Sequence, residues 1–223
     1  MRVEWFGQSA FHLSGPEGSV AIDPFGDMSA LSSGRGIQWD YPAIAGVAPE
    51  LLLVTHEHGD HNGVEAIEGE PAILRSTAGT LESPLGQVAA IASEHDEKAG
   101  VERGPNTIFV FTLDGLRIAH MGDFGQRELR EEQAAAMVEL DLLILPVGGG
   151  PTLGGEQAAA IVERLKPRWA VPMHYRTPRI GFLEPPDSFL ERSASVERLS
   201  SPAFETSELP PSEMPLVVVP AAP

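Results

Sequence analysis

Apolar positions along the chain recur at two periods, and each period predicts a different element. Short β-type runs occupy Arg2–Phe6, Phe11–Leu13 and Val20–Ile22, with the turn-forming stretch Ser-Gly-Pro-Glu-Gly-Ser before the third. Leu51–Val54 is apolar throughout, the mark of a strand buried on both faces. Further strands are predicted at Ala72–Leu74, Gln87–Ala92, Thr107–Leu113, Leu116–His120, Leu142–Leu145 and Trp169–Val171. Asp114-Gly115 supplies a hairpin turn between two of them. Helical periodicity takes over twice. Glu128–Leu140 carries Leu129, Met137 and Val138 among charged residues, and Glu156–Leu165 aligns Ala158, Ile161, Val162 and Leu165 on one face. A further helix is expected just after the Leu51–Val54 strand, where Asp60 suits a helix N-terminus. The second half therefore reads β–β–α–β–α–β.

Residues 1–223 contain no linker-like break, so one domain is expected, with the Pro- and Glu-rich stretch 200–223 packed on it and Leu216–Val219 as a final edge strand. Residues 26–46 form a long Gly- and Ser-rich loop with Trp39 and Tyr41, and loops of that length inside a compact domain are commonly functional. No apolar run approaches the roughly 18 residues that span a bilayer. The N-terminal stretch lacks the apolar segment of a secretory signal, so a cytoplasmic protein is expected. The formal charge of −17 repels polyanions and anionic membranes. The expected partner is a small molecule, and a homo-oligomer is compatible with the chain.

The chain contains no cysteine, so any metal must be held by imidazole and carboxylate. Val-Thr-His-Glu-His-Gly-Asp-His-Asn-Gly at 54–63 concentrates such groups behind a greasy strand. His56 and His58 lie two apart on extended backbone and point the same way. Gly59 permits a sharp turn that brings Asp60 and His61 to a neighbouring position. Downstream, His95, His120 and His174 each follow a predicted strand, and Asp123 sits in the turn Gly122-Asp123 at another strand end.

In this order, the 55–61 cluster, His95, Gly122-Asp123 and His174 resemble the metallo-β-lactamase fold over essentially the whole chain. The flanks LLILPVGGGPTLGGEQAA and WAVPMHY are similar to a branch of small bacterial metal-dependent hydrolases that includes ascorbate-6-phosphate lactonase. The resemblance implies a four-layer αββα sandwich of the α/β class with two divalent metal ions. It places His56, His58 and His95 on one ion, Asp60, His61 and His174 on the other, and Asp123 between them. The chemistry implied is hydrolysis of a small-molecule ester, lactone or phosphodiester by a hydroxide bridging the ions, with Asp60 or Asp123 handling the proton. Such ligands suit zinc, with manganese or iron as alternatives.

Asp23, in Ala-Ile-Asp-Pro-Phe, resembles the acidic residue that supports the ligands in this fold; read locally, it initiates a turn before Pro24. His120 is either a support of the same kind or a satisfied core histidine. Arg35, Arg176 and Arg179 are candidates to meet an anionic substrate group, against a reading as solvated loop residues. The alternatives are a phospholipid or nucleic-acid phosphodiesterase of the same fold and a metal-binding module without turnover. The absence of cysteine and the bridging aspartate both argue against β-lactam hydrolysis.

Overall fold

Two mixed β-sheets share one apolar core in the computed structural model, which describes residues 1–29, 33–34 and 36–223. The first sheet contains β1 (Arg2–Gly7), β2 (Ala10–Gly15), β3 (Gly18–Ile22), β4 (Leu51–Val54), β5 (Ala72–Arg75) and β13 (Ala203–Glu205), in the order β13-β1-β2-β3-β4-β5. The second contains β6 (Gly79–Ser83), β7 (Gly86–Glu94), β8 (Pro105–Leu113), β9 (Leu116–His120), β10 (Leu142–Pro146), β11 (Trp169–Met173), β12 (Ser195–Arg198) and β14 (Leu216–Val219). Its order is β12-β14-β11-β10-β9-β8-β7-β6. Helix α1 (Glu131–Ala136) links β9 to β10, and α2 (Gly155–Leu165) links β10 to β11. This is the expected α/β sandwich, with few helices.

Strand β4 shows why its sequence is apolar at every position. Leu51 and Leu53 face the core between the sheets, while Leu52 and Val54 join a second apolar cluster on the other face. Phe25, Tyr41, Ile44, Ile180 and Leu183 cover that face, with the rings of Phe25, Trp39 and Tyr41 in mutual contact. From the 26–46 stretch, Met28, Trp39, Tyr41 and Ile44 thus pack as cover for the first sheet. On the second sheet, α2 buries Ala158, Ile161 and Val162, and the Gln157 side chain accepts the Gly154 N–H to close its first turn.

Strand direction gathers loops at one edge. β3 and β4 are parallel, and β1 runs with β3 because both are antiparallel to β2. In the second sheet β9, β10 and β11 are parallel, and β7 runs with β9 because both are antiparallel to β8. Gln8, Asp23, His56, His95, Asp123 and His174 each follow the carboxyl end of one of these strands.

Three expectations are corrected. Leu216–Val219 is no edge strand: β14 lies between β11 and β12, parallel to both, because four buried apolar side chains require neighbours on each side. The helix over 128–140 contracts to Glu131–Ala136, tied down by buried Gln133 and ended before Glu139, whose φ is +55°. No helix follows the 56–61 cluster. Gly63 N–H donates to Pro24 O at 2.8 Å, which pulls the chain onto the Asp23 turn and leaves only a 3-10 turn at Val64–Ala66. Among the described residues no helix is long and apolar enough to cross a membrane.

Candidate metal centre

The loops at this edge bring together two groups of side chains. Nitrogens of His56, His58 and His95 lie within 4.8 Å of one another, as do the donor atoms of Asp60, His61, Asp123 and His174. One atom joins the groups. Asp123 Oδ2 lies 3.1 Å from His95 Nε2, 3.2 Å from His61 Nε2 and 3.2 Å from His174 Nε2. The turn carrying Asp123 is aimed by Asn106, whose Oδ1 accepts the Asp123 N–H at 3.0 Å, and by Ser9, whose hydroxyl donates to Asp123 Oδ1 at 3.3 Å.

Behind the nitrogens, hydrogen bonds fix which ring atom is free. A carboxylate only accepts, so His61 Nδ1 donates to Asp23 Oδ2 at 2.9 Å and its Nε2 faces the carboxylates with a lone pair or a second proton. The Thr55 hydroxyl donates to the same Asp23 oxygen at 2.7 Å, and therefore accepts from His56 Nδ1 at 3.0 Å. His95 Nδ1 donates to Pro151 O at 3.1 Å. Asp23 thus orients a ring in each group, one directly and one through Thr55. Its main chain is strained to φ +47° and its N–H donates to Leu53 O, so β3 and β4 hold it there.

Electrostatics show the same convergence. Burial opposes ionisation of Asp123, yet His174 and His61 outweigh it and hold the carboxyl well below its ordinary range. Burial likewise opposes a charge on His61, but Asp123, Asp60 and Asp23 raise its pKa well above the imidazole value. His95 is raised by Asp123 against the same opposition. Burial, with neighbouring His61, pushes His56 down to about 2. His61 Nε2 is buried and lacks a properly directed hydrogen bond. A buried imidazole nitrogen facing two carboxylates, with four more imidazoles beside it, fits a cation of the imidazole- and carboxylate-binding kind. The donor set fits the expected metals.

A family model described as a β-lactamase superfamily domain matches residues 2–174, which takes in every one of these side chains. The chain belongs to the metallo-β-lactamase superfamily, among its metal-dependent hydrolases. A UPF0173 metal-dependent hydrolase of Thermococcus onnurineus is 34% identical, covering 79% of this chain and 85% of that one. One from Pyrococcus abyssi is 32% identical with the same coverage of each, 79% and 85%. Among solved structures, a protein from Thermotoga maritima described as a Zn-dependent hydrolase of the metallo-β-lactamase superfamily superposes with a TM-score of 0.76 at 26% identity, covering 99% of this chain and 98% of that one.

Other candidate residues fall differently within this superfamily site. His120 is fully buried, its Nε2 3.0 Å from Ser9 O and its Nδ1 accepting the Gly122 N–H, so it braces the main chain that carries Ser9 and Asp123. Arg176 and Arg179 are exposed. The first donates to Leu183 O at 2.6 Å and the second to Pro223 O at 2.9 Å, so both guanidinium groups staple loops. Arg35 lies outside the described residues. Gln8 was not singled out by sequence, yet it is fully buried at φ +51° and its Nε2 donates to Asp60 Oδ2 at 3.1 Å. Its main-chain oxygen also accepts from Trp5 Nε1 and from His174 N. One turn residue therefore holds a carboxylate from one segment and the backbone of another. A lone glutamine between two strands carries no spacing signal that could have exposed this.

Proposed function

We propose that this chain hydrolyses a small-molecule ester, lactone or phosphodiester with two divalent cations, zinc in the first instance. His56, His58 and His95 would hold one, Asp60, His61 and His174 the other, and Asp123 both. The observation that carries this reading is the single oxygen of Asp123 lying 3.1–3.2 Å from ligand nitrogens of both groups. A cation pair supplies a water of lowered pKa and a Lewis acid for the substrate oxygen. The rest falls to the chain. Asp23 keeps His61 and, through Thr55, His56 in one ring orientation. Asp123, with its side chain 3% exposed, is a fixed anchor, whereas Asp60 at 22% reaches solvent and is placed to take up and return the proton of the leaving group. Gln8 holds Asp60 to that task by bonding its Oδ2.

The flanking resemblance supports the lactonase-like branch as the first substrates to try. The charge of −17 and a cavity of about 260 Å³ beside His56 and His58 favour a small molecule over a polymer or lipid surface. The test is a panel of lactones, carboxylic esters and bis-p-nitrophenyl phosphate on zinc-loaded protein, with metal content measured alongside. Turnover of at least one class is expected, and Asp123→Ala should lower it at least a hundredfold together with zinc content. Protein that carries its full zinc and turns over nothing on the panel would instead be a binding module.

A further inference from the structure

We propose that Arg103 reads an oxyanion on the substrate, a carboxylate or phosphate set apart from the bond that is cut, so that this hydrolase acts on anionic small molecules. The proposal rests on the hydrolytic reading above and adds the substrate's charge. Three observations converge on it.

The first is where the residue sits. The cavity of about 260 Å³ that opens on His56 and His58 is also lined by Ser76, Arg103 and Thr107. Both histidines belong to one ligand group. A substrate group seated there lies between candidate metal ligands and a guanidinium.

The second is how the residue is held. The loop after His95 winds around a single carboxylate. Asp96 Oδ1 accepts the N–H groups of Lys98 and Gly100 at 2.7 and 3.0 Å, and Oδ2 those of Glu102 and Arg103 at 3.0 and 2.8 Å. His95 N–H closes the loop on Gly104 O at 3.1 Å. The backbone of Arg103 is therefore fixed to the residue next to a candidate ligand.

The third is what its guanidinium lacks. Among the described residues, only the side chains of Arg103, Lys166 and Arg198 of all the lysines and arginines make no hydrogen bond, ion pair or ring contact. The other described lysines and arginines are engaged by carboxylates, main-chain oxygens or, for Arg168, the Trp169 ring. Lys166 and Arg198 line other grooves, away from the histidines. Arg103 alone of the three faces the candidate centre. The other charged wall of the cavity is already neutralised, since Glu57 is paired with Arg75 and accepts the Ser76 hydroxyl at 2.6 Å. The unmatched charge in the cavity wall is thus that of Arg103, and a planar guanidinium suits a carboxylate or phosphate edge.

The test compares wild type, Arg103→Gln and the control Arg198→Gln, all zinc-loaded. Isothermal titration with inorganic phosphate reads the anion site without turnover. Arg103→Gln is expected to weaken phosphate binding about tenfold, the scale of one charge-assisted contact at an exposed residue, and Arg198→Gln to leave it unchanged. In parallel, kcat/KM is measured for p-nitrophenyl hemisuccinate and p-nitrophenyl butyrate. Wild type should prefer the anionic ester, and Arg103→Gln should collapse that preference about tenfold, chiefly through KM. Phosphate held through Arg103 with neither ester cleaved would remove the hydrolytic reading and leave the anion site standing. Equal phosphate affinity in wild type and Arg103→Gln, or none in either, overturns the anion site whatever the esters do. An ester preference untouched by Arg103→Gln overturns its role in choosing substrate.

Discussion

Asp23 carries more of the site than its position outside it suggests. Its carboxylate accepts from Thr55 N at 2.8 Å, from the Thr55 hydroxyl at 2.7 Å and from His61 Nδ1 at 2.9 Å, so one side chain sets the rings of both ligand groups. Asp23→Ala is expected to weaken zinc binding about 10–100-fold, as loss of a group behind the ligands does elsewhere. It also strands the buried Thr55 N–H, at a cost of about 1–3 kcal/mol. Competition with a chromogenic chelator measures the first effect; affinity equal to wild type would show that His61 and His56 need no such orientation. Protons give a second residue-scale prediction. Carboxylates raise the pKa of His61 and His95 above the ordinary value despite burial, so in the metal-free protein these rings favour the charged form. A ligand nitrogen must lose that proton, so zinc uptake should release protons and affinity should rise with pH. Zinc titrations at pH 7 in buffers of different ionisation enthalpy should return about one proton or more released per chain; no net release would mean these nitrogens stay out of coordination. The convergence of the candidate ligands was legible because no fold needs His56, His58, Asp60 and His61 at that spacing. Gln8 and Arg103 were not, because each acts through where a turn places it.

At the scale of elements, close backbone contacts aim the candidate ligands. Gly122 has φ +55°, and a Cβ there would lie 2.3 Å from Asn106 Oδ1 and 2.7 Å from Thr55 Cβ. Asn106 is the residue that holds Asp123 N–H, so Gly122→Ala strains the turn and displaces its brace together. Left-handed strain costs about 1–3 kcal/mol, and at this chain length each kcal/mol lowers Tm by about 2–4 °C. Gly122→Ala should therefore drop Tm by about 2–12 °C and reduce zinc content. A variant with wild-type Tm and full zinc would mean that Asp123 tolerates a looser turn. The same reasoning separates what sequence could and could not tell about elements. Asp114-Gly115 was readable as a hairpin because both residues adopt positive φ, +51° and +71°, which that residue pair tolerates. Leu51–Val54 and Leu216–Val219 matched residue for residue because apolar runs bounded by turns leave little choice, and Leu116–His120 matched because the Asp114-Gly115 turn sets where it starts. Strands β6, β12 and β13 were missed: β6 and β12 are short, partly exposed and mostly polar, β13 has only three residues, and neighbouring strands rather than their own pattern hold them. The helix expected after the cluster failed for a tertiary reason, the bond from Gly63 to Pro24.

At the scale of the molecule, the parallel half of the second sheet depends on β14, which joins its edge strand β12 to β11. β14 pairs Leu216 with Trp169 of β11 and with Ser195 of β12, so both neighbours lose a hydrogen-bonding edge if it is removed. Its four side chains are buried, and at about 1.5–3 kcal/mol each they contribute about 6–12 kcal/mol. That is comparable with the whole stability of a typical domain, about 5–15 kcal/mol. A chain truncated before Leu216 should therefore fail to fold: no cooperative thermal transition by circular dichroism, and zinc uptake without a defined stoichiometry. Since such a variant could fail through aggregation alone, Leu216→Ala provides the graded case. It should lower stability by about 2–5 kcal/mol while the protein still unfolds cooperatively. The strand β11 that β14 supports ends at Met173, next to His174, so loosening it reaches the candidate centre through that ligand. Zinc should stabilise Leu216→Ala less than it stabilises wild type, because binding energy is then used to re-form the strand end. Equal zinc-induced shifts in Tm for the two proteins would show that β14 supports the fold without reaching the centre.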